Sequence, residues 1–157
     1  MRLDSPIGRI ELSSDGHAIT RVSVEREGEL PNDDLAERPT AVLTRAARQL
    51  REYFEGERRS FELPIVVEGT PFQHSVWRAL GTIPFGSAVT YGQLAYLAGH
   101  EGSPRAVGAA IAANPLPLLI PCHRVLDRKG RLTGYSVGEG LPVKQWLLVH
   151  ERIEFRD

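Results

Sequence analysis

The single cysteine of the chain lies in a setting that favours nucleophilic chemistry. Cys122 follows an apolar run and Pro121, and His123 and Arg124 come directly after it. A lone cysteine is more often a small buried hydrophobic residue than a nucleophile. A nearby imidazolium or guanidinium changes this balance, because a fall in the thiol pKa from about 8.5 to about 6 would ionise about nine-tenths of it at pH 7. The segment therefore predicts a reactive thiol.

A base beside the thiol raises a geometric question. In a regular strand consecutive side chains face opposite ways, which would keep His123 away from the Cys122 sulfur. Either the backbone bends here, which Pro121 favours, or a water molecule carries the proton between the two side chains. The base also needs an orienting group, and we select the carboxylate of Glu151 for that position.

The remaining histidines give no sign of a metal site. They are His17, His74, His100 and His150. Because they have no acidic neighbours at metal-ligand spacing, we expect them to be surface residues and predict that the protein holds no metal.

Two short helices in the second half of the chain form a helix-turn-helix candidate. Thr90–Gln93 has the pattern of a capping box and starts a helix that runs to about residue 98. After a turn with two glycines, Ser103 and Pro104 supply the cap and first position of a second helix, which ends at Asn114.

The second of these helices carries almost no side-chain bulk. Its small residues are Ala106, Gly108, Ala109, Ala110, Ala112 and Ala113. Close packing against another helix in the core is a commoner reason for such a helix than contact with nucleic acid. A helix that reads bases in the major groove would carry Asn, Gln or Arg along its face, whereas this one has only Arg105 at its start. If it binds DNA, we expect little dependence on sequence.

The first half of the chain predicts a small α/β unit with a structural role. Alternating apolar and polar residues at 7–12 and 18–24 predict a hairpin, and residues 42–54 have helical spacing. We expect Phe61–Val67 to be a further strand. The second half opens with Thr70 and Pro71 as helix cap and first position and is predicted to be mostly helical. The expected domains are residues 1–68 and 69–157.

Composition indicates a compact globular protein. With 157 residues, 41% of them hydrophobic, the chain can bury about two-thirds of its unfolded surface and needs no disulfide or metal for stability. One thiol excludes an internal disulfide and fits a reducing compartment. The charged residues at the start are unlike a signal peptide, and no apolar run is long enough for a membrane span, so we expect a cytoplasmic protein.

The net charge of −1 conceals an asymmetry along the chain. Residues 1–64 hold 10 Lys and Arg against 13 Asp and Glu, whereas residues 65–157 hold 9 against 7. Within the second half, residues 102–144 carry six basic and two acidic side chains. This cluster suits a small footprint on phosphates, although charge alone favours a solvated face.

Several of these residues together resemble the O6-alkylguanine-DNA alkyltransferases, also called methylated-DNA–protein-cysteine methyltransferases. The matching motifs are Asn114-Pro115, Pro121-Cys122-His123-Arg124-Val125, Gly134-Tyr135-Ser136 and the run from Lys144 to Glu151. The resemblance implies a small α/β domain with a ribonuclease-H-like sheet, followed by a mostly α domain with a helix-turn-helix. It also implies DNA repair by direct reversal. The partner would be double-stranded DNA, from which O6-alkylguanine is flipped out so that its alkyl group moves irreversibly to the cysteine, once per protein molecule and without a cofactor.

The resemblance assigns roles to individual residues. Cys122 would accept the alkyl group, and His123, polarised by Glu151, would take the thiol proton, in relatives through a water. Asn114 would brace the turn before the thiol. Tyr91 would help to rotate the nucleotide, and Arg105 would enter through the minor groove to fill the space left in the stack. The other residues assigned to DNA contact are Ala106, Ala112 and Arg124, and those assigned to the base pocket are Ile111, Val125, Tyr135 and Ser136. In that pocket the Cys122 and Val125 carbonyls would accept hydrogen bonds from the guanine amine. A monomer with little sequence preference and no membrane contact is implied.

The chain departs from the family pattern at three points, and two alternative functions stay open. The loop Tyr135–Lys144 is about two residues longer than in many relatives, which leaves the preferred alkyl size open. Ala112 stands where some relatives have a basic residue, and the cysteine zinc site of some relatives cannot form. One alternative is a non-catalytic alkyl-lesion binding protein, although those lack the thiol. The other is a thiol hydrolase, which Pro121 disfavours because it removes an amide donor for an oxyanion hole.

Overall fold

The structure is a computed structural model that describes residues 1–157. The strands are β1 (Arg2–Leu3), β2 (Ile10–Ser14), β3 (Ile19–Val24), β4 (Val89–Thr90) and β5 (Val125–Leu126). The helices are α1 (Ala41–Phe54), α2 (Pro71–Gly81), α3 (Tyr91–Leu97), α4 (Pro104–Ala112) and α5 (Leu141–His150), with a short 3₁₀ helix at Cys122–Arg124. No helix is both long and apolar enough to cross a membrane.

The first half is an antiparallel sheet covered by one helix. The predicted hairpin is confirmed as β2 and β3, which pair in the register Leu12 opposite Val22, and β1 adds to the free edge of β2. Thr40 caps α1 by accepting a hydrogen bond from the Leu43 amide. The apolar face of α1 packs on the sheet.

The prediction of a strand at Phe61–Val67 is wrong. Only a single parallel bridge joins Ile65 to Ile19. Pro64 has no amide hydrogen to extend a ladder, and the side chains of Ile65 and Val66 are 41% and 49% exposed rather than directed into the core. The segment therefore follows the sheet edge without becoming a strand.

The second half is helical, as predicted, and its helix starts follow their capping signals. Both α2 and α3 begin with capping boxes, in which the Thr70 and Thr90 hydroxyls accept from the amides three residues later. The prediction for Ser103 was wrong in detail: it precedes α4, but its backbone is not extended and its hydroxyl makes no capping bond. Helix α4 packs on α2 and α3, and α3 and α4 form the expected helix-turn-helix.

Two features join the elements around the thiol. Strands β4 and β5 form a parallel pair in which Val89 lies opposite Val125, so the segment after the thiol is tied to the start of α3. One continuous cluster of buried apolar side chains extends through both halves of the chain. The thiol segment is therefore held at the junction of the two halves.

Candidate active site

The thiol lies where the backbone bends. Cys122 is 3% exposed and begins the 3₁₀ helix, so the regular strand that would separate it from His123 does not form. The Asn114 amide donates to the Ile120 carbonyl (2.9 Å), while its oxygen accepts from the Leu116 amide (2.9 Å). Asn114 thus bridges the two ends of the turn before the thiol.

Four hydrogen bonds converge on the buried carboxylate of Glu151. Its Oε2 accepts from His123 Nε2 (2.7 Å), from the Tyr53 hydroxyl (2.6 Å) and from Arg124 Nη2 (3.0 Å). Its Oε1 accepts from Arg124 Nε (2.7 Å). The Glu151 side chain is fully buried, so these donors replace all of its hydration.

The assignment of Arg124 to DNA contact is wrong. Its guanidinium is buried, paired with Glu151 and bonded to the Ile83 carbonyl (2.7 Å). A phosphate could be reached only by leaving a buried carboxylate without its partner, which costs several kcal/mol. Since Glu151 neutralises Arg124, this guanidinium also does little to stabilise a thiolate at Cys122.

Burial decides the protonation of the thiol and its base. It raises the pKa of Cys122, against the opposing effects of the nearby Asn114 and Tyr135 side chains and the charge of Lys144, so the expected lowered thiol pKa is not found. Burial also lowers the pKa of His123, against the opposing effect of Glu151. The resting pair is therefore a thiol and a neutral imidazole.

Glu151 remains ionised and fixes the tautomer of His123. Burial alone would raise the Glu151 pKa, but hydrogen bonds from His123 and Arg124 outweigh it and hold the pKa at about 2. An ionised carboxylate can only accept, so His123 Nε2 carries the proton. His123 Nδ1 is buried and has no partner among protein atoms, which makes it the nitrogen able to receive a proton.

A cavity of about 240 Å³ opens beside the thiol. Its lining residues are Tyr91, Gly108, Ile111, Ala112, Cys122, Gly134, Tyr135, Ser136 and Val137. Ile111, Tyr135 and Ser136 were expected at a pocket, whereas Ala112 was expected only at the DNA surface. The two glycines and Val137 were missed, because nothing in their types marks them as pocket residues.

The side chain of Val125 does not line the cavity; the role that the resemblance implies for this residue is that of its backbone carbonyl. Its side chain is fully buried in the core, since β5 pairs with β4. Its carbonyl accepts from the Lys144 ammonium (2.6 Å), which also donates to the Thr133 carbonyl (2.8 Å). Burial lowers the pKa of Lys144 to about 8. Lys144 thus joins the segment after the thiol to Thr133, which precedes the loop beside the cavity.

The pocket loop, residues 134–140, rests on the first half of the chain. A Cβ at Gly138 would lie 2.8 Å from Val24 Cγ1, so only glycine fits that approach. The Glu139 carboxylate accepts a hydrogen bond from the Glu27 amide in the turn after β3. The position of the loop that flanks the cavity is therefore set by residues more than a hundred positions earlier.

Helix α4 presents two different faces. Val107, Ala110 and Ile111 are buried, and the Ala110 carbonyl accepts from the Trp77 indole (2.9 Å). Its exposed side carries Arg105, Ala106, Ala109, Ala112 and Ala113. The slim helix therefore packs in the core on one side and leaves a smooth surface, with one guanidinium at its start, on the other.

The other histidines differ from the expected surface residues. Only His17 is exposed, whereas His74, His100 and His150 are partly buried. His100 bonds to the Ser75 hydroxyl, and His150 Nε2 bonds to the Tyr53 carbonyl (2.7 Å). No group of three His, Cys, Asp or Glu side chains is placed to hold a metal ion.

Comparisons with known proteins give matches over both halves of the chain. Residues 71–153 match the model of the 6-O-methylguanine DNA methyltransferase DNA binding domain, and residues 2–67 match that of the ribonuclease-like domain. The constitutive methylated-DNA–protein-cysteine methyltransferase of Bacillus subtilis is 38% identical over 98% of this chain and 95% of its own length.

Solved structures are similar over nearly the whole chain. The O6-methylguanine methyltransferase of Mycobacterium tuberculosis superposes with a TM-score of 0.85 at 38% identity, covering 96% of this chain and 90% of that one. A complex of the M. tuberculosis OGT with DNA gives the same TM-score at 37% identity, covering 96% and 91% of the two chains. The ribonuclease-like and helical architecture is therefore shared.

Proposed function

The chain belongs to the 6-O-methylguanine DNA methyltransferase family, which repairs DNA by moving an alkyl group to a cysteine of the protein, and we propose that Cys122 is that cysteine. One observation carries the proposal: the only thiol of the chain opens into a cavity and adjoins a histidine whose free nitrogen is buried and unpartnered. DNA is the macromolecular partner of the protein.

The proposed reaction begins with removal of the thiol proton. His123 Nδ1 receives it, through a bridging water, and Glu151 stabilises the resulting imidazolium through Nε2. The Cys122 sulfur then attacks the alkyl carbon on O6, so that an S–C bond forms as the C–O6 bond breaks. The bonding electrons pass to the purine, which takes up a proton equivalent to the one lost by the thiol. A thioether and guanine result.

We assign DNA binding to the exposed face of α4. Its small side chains let the helix backbone approach the minor groove closely, and Arg105 fills the space that the flipped nucleotide leaves. Tyr91 lines the cavity beside Gly108 and helps to hold the extruded base. Without side chains that address base edges, a monomer would bind with little sequence preference.

The division of the chain and its location are also proposals. The family matches at 2–67 and 71–153 support domains at residues 1–68 and 69–157. A reactive lone thiol supports a reducing location such as the cytoplasm, where it is not lost to oxidation.

Intact-protein mass tests the assignment of Cys122. With excess O6-methylguanine duplex, the mass should rise by one methylene per chain and then stop, because a thioether offers no acyl carbon to water and no S–S bond to a second thiol. Peptide mapping should place the increment on Cys122, and Cys122→Ala should bind the duplex without gaining mass. More than one methyl removed per chain, or an increment elsewhere, would contradict the proposal.

A further inference from the structure

We propose that Tyr53, on the last turn of α1 in the first half of the chain, is a positioning residue for alkyl transfer whose hydroxyl holds Glu151 and keeps His123 neutral. This inference rests on the relay of Cys122, His123 and Glu151 proposed above. It gives the first half of the chain, expected to be structural, a residue that acts on the chemistry through Glu151 and His123.

The contact is buried and geometrically fixed. Tyr53 is 1% exposed, and its hydroxyl donates to Glu151 Oε2 at 2.6 Å, the same oxygen that accepts from His123 Nε2. Edge-to-face contacts hold the ring, with centroid distances of 5.2 Å to Phe54 and 4.9 Å to His150. These ring contacts therefore hold the hydroxyl at the Glu151 carboxylate.

Tyr53 acts as a permanent donor. Burial, together with the nearby charge of Glu151, raises its pKa far above the usual range, so the hydroxyl keeps its proton at every working pH. The positive end of the O–H dipole points at Oε2. It withdraws charge from the carboxylate and opposes a second positive group at His123 Nε2, and both effects favour the neutral imidazole.

The other groups around His123 make this contribution matter. Glu151 favours the imidazolium, whereas burial and the charges of Arg124 and Lys144 oppose it. Cys122 and Tyr135 are neutral at rest, since burial raises the pKa of both. Only a neutral His123 can accept the thiol proton. Tyr53 weakens the effect of Glu151, which would otherwise favour a protonated His123 before the thiol has given up its proton.

The pH dependence of Tyr53→Phe tests the inference. Single-turnover transfer from O6-methylguanine duplex is measured between pH 5 and 9. Loss of the hydroxyl strengthens the pull of Glu151 on the imidazolium, so the acid limb of the profile should move up by about half a unit, equivalent to a roughly threefold loss of rate below it. The rate should approach that of the parent at higher pH.

Matched variants separate this effect from packing. The phenylalanine keeps the ring contacts and the backbone carbonyl that accepts from His150. Phe54→Leu removes an adjacent, half-buried ring without touching Glu151, so any loss of rate should be uniform across pH. The double variant Tyr53→Phe, Glu151→Gln should have the acid limb of its pH–rate profile at the same pH as the single variant Glu151→Gln.

The outcomes distinguish failure of this inference from failure of the proposed function. Three results for the pH–rate profile of Tyr53→Phe would overturn the role of Tyr53. The profile could match that of the parent, be lower by the same factor at every pH, or be displaced to lower pH. Transfer by Cys122→Ala would instead overturn the assignment of the acceptor. A parental rate for Glu151→Gln would overturn the relay, and with it the basis of the inference.

Discussion

Replacing Glu151 by glutamine should lower the free energy of unfolding by about as much as the ionised carboxylate contributes to it. The folded-state pKa of Glu151 is about 2 against a usual 4.5, and each pKa unit is about 1.36 kcal/mol. The ionised side chain therefore contributes about 3 kcal/mol at pH 7. Because the folded-state pKa is lowered, this stability is complete above about pH 4.5 and is lost as the pH falls toward 2.

Chemical denaturation of parent and variant from pH 7 to pH 2.5 measures this contribution. Glu151→Gln should unfold with about 3 kcal/mol less free energy at pH 7, because Arg124 stays buried without its counter-charge. The difference should shrink as the pH falls below 4.5, because unfolded parent then takes up a proton on Glu151 that folded parent does not bind until about pH 2. Other acids with lowered pKa, such as Asp33, titrate equally in both proteins and cancel in the difference.

A neighbouring glutamate provides the control for Glu151→Gln. Glu154 is exposed, so Glu154→Gln should change neither stability nor rate. Folded Glu151→Gln should transfer alkyl groups slowly at neutral pH, and raising the pH should restore much of the rate, since the thiolate then forms without the relay. Parental stability at pH 7, or a difference that stays constant down to pH 2.5, would refute the buried ion pair as the source of the energy.

Three further predictions concern the DNA face and the pocket. Arg105→Ala should slow transfer from duplex DNA by roughly tenfold or more, because unstacking costs a few kcal/mol, yet leave the rate with free O6-benzylguanine nearly unchanged; equal losses in the two rate assays would contradict its role. Glu139→Ala should raise the ratio of benzyl to methyl transfer rates, since it removes the acceptor that holds the pocket loop at the Glu27 amide; an unchanged ratio would show that the loop does not limit pocket size. Gly108→Leu should slow both substrates, because the new side chain points at the Tyr91 ring, whose nearest atom lies 3.9 Å from the added Cβ; a parental rate would place the base elsewhere.

Local signals predicted most of the helices and the identity of the thiol. Capping boxes at Thr70 and Thr90 depend on residues three positions apart, so the sequence contains the whole interaction. The bend at Cys122 was one of two alternatives that the sequence left open, and the adjacent proline favoured it. Predictions of this kind succeed because their physical cause lies within a few residues.

Long-range contacts were outside the reach of the same reasoning. Tyr53 and Glu151 are 98 residues apart, and a tyrosine on a helical apolar face is ordinarily only a core residue. Arg124 counted as a basic charge in the sequence, but its burial against Glu151 removes it from any surface. Strands β4 and β5 have two residues each, which is too short for an alternation of apolar and polar residues to be recognised in the sequence. In each case packing of distant elements, rather than local pattern, determined the outcome.

Helix α4 shows why two interpretations of one pattern are compatible. Its small residues are expected either to pack in the core or to approach DNA; one face packs in the core, and the opposite face is exposed and available for the DNA contact that we propose. On the inner side Ala110 lies close enough to α2 for its carbonyl to accept from the Trp77 indole. Toward the cavity, Gly108 leaves room beside Tyr91. A larger residue at Gly108 would narrow the cavity, and a larger residue on the exposed face would hold the helix away from DNA in the proposed complex, so the proposed function accounts for the small residues on both of these sides.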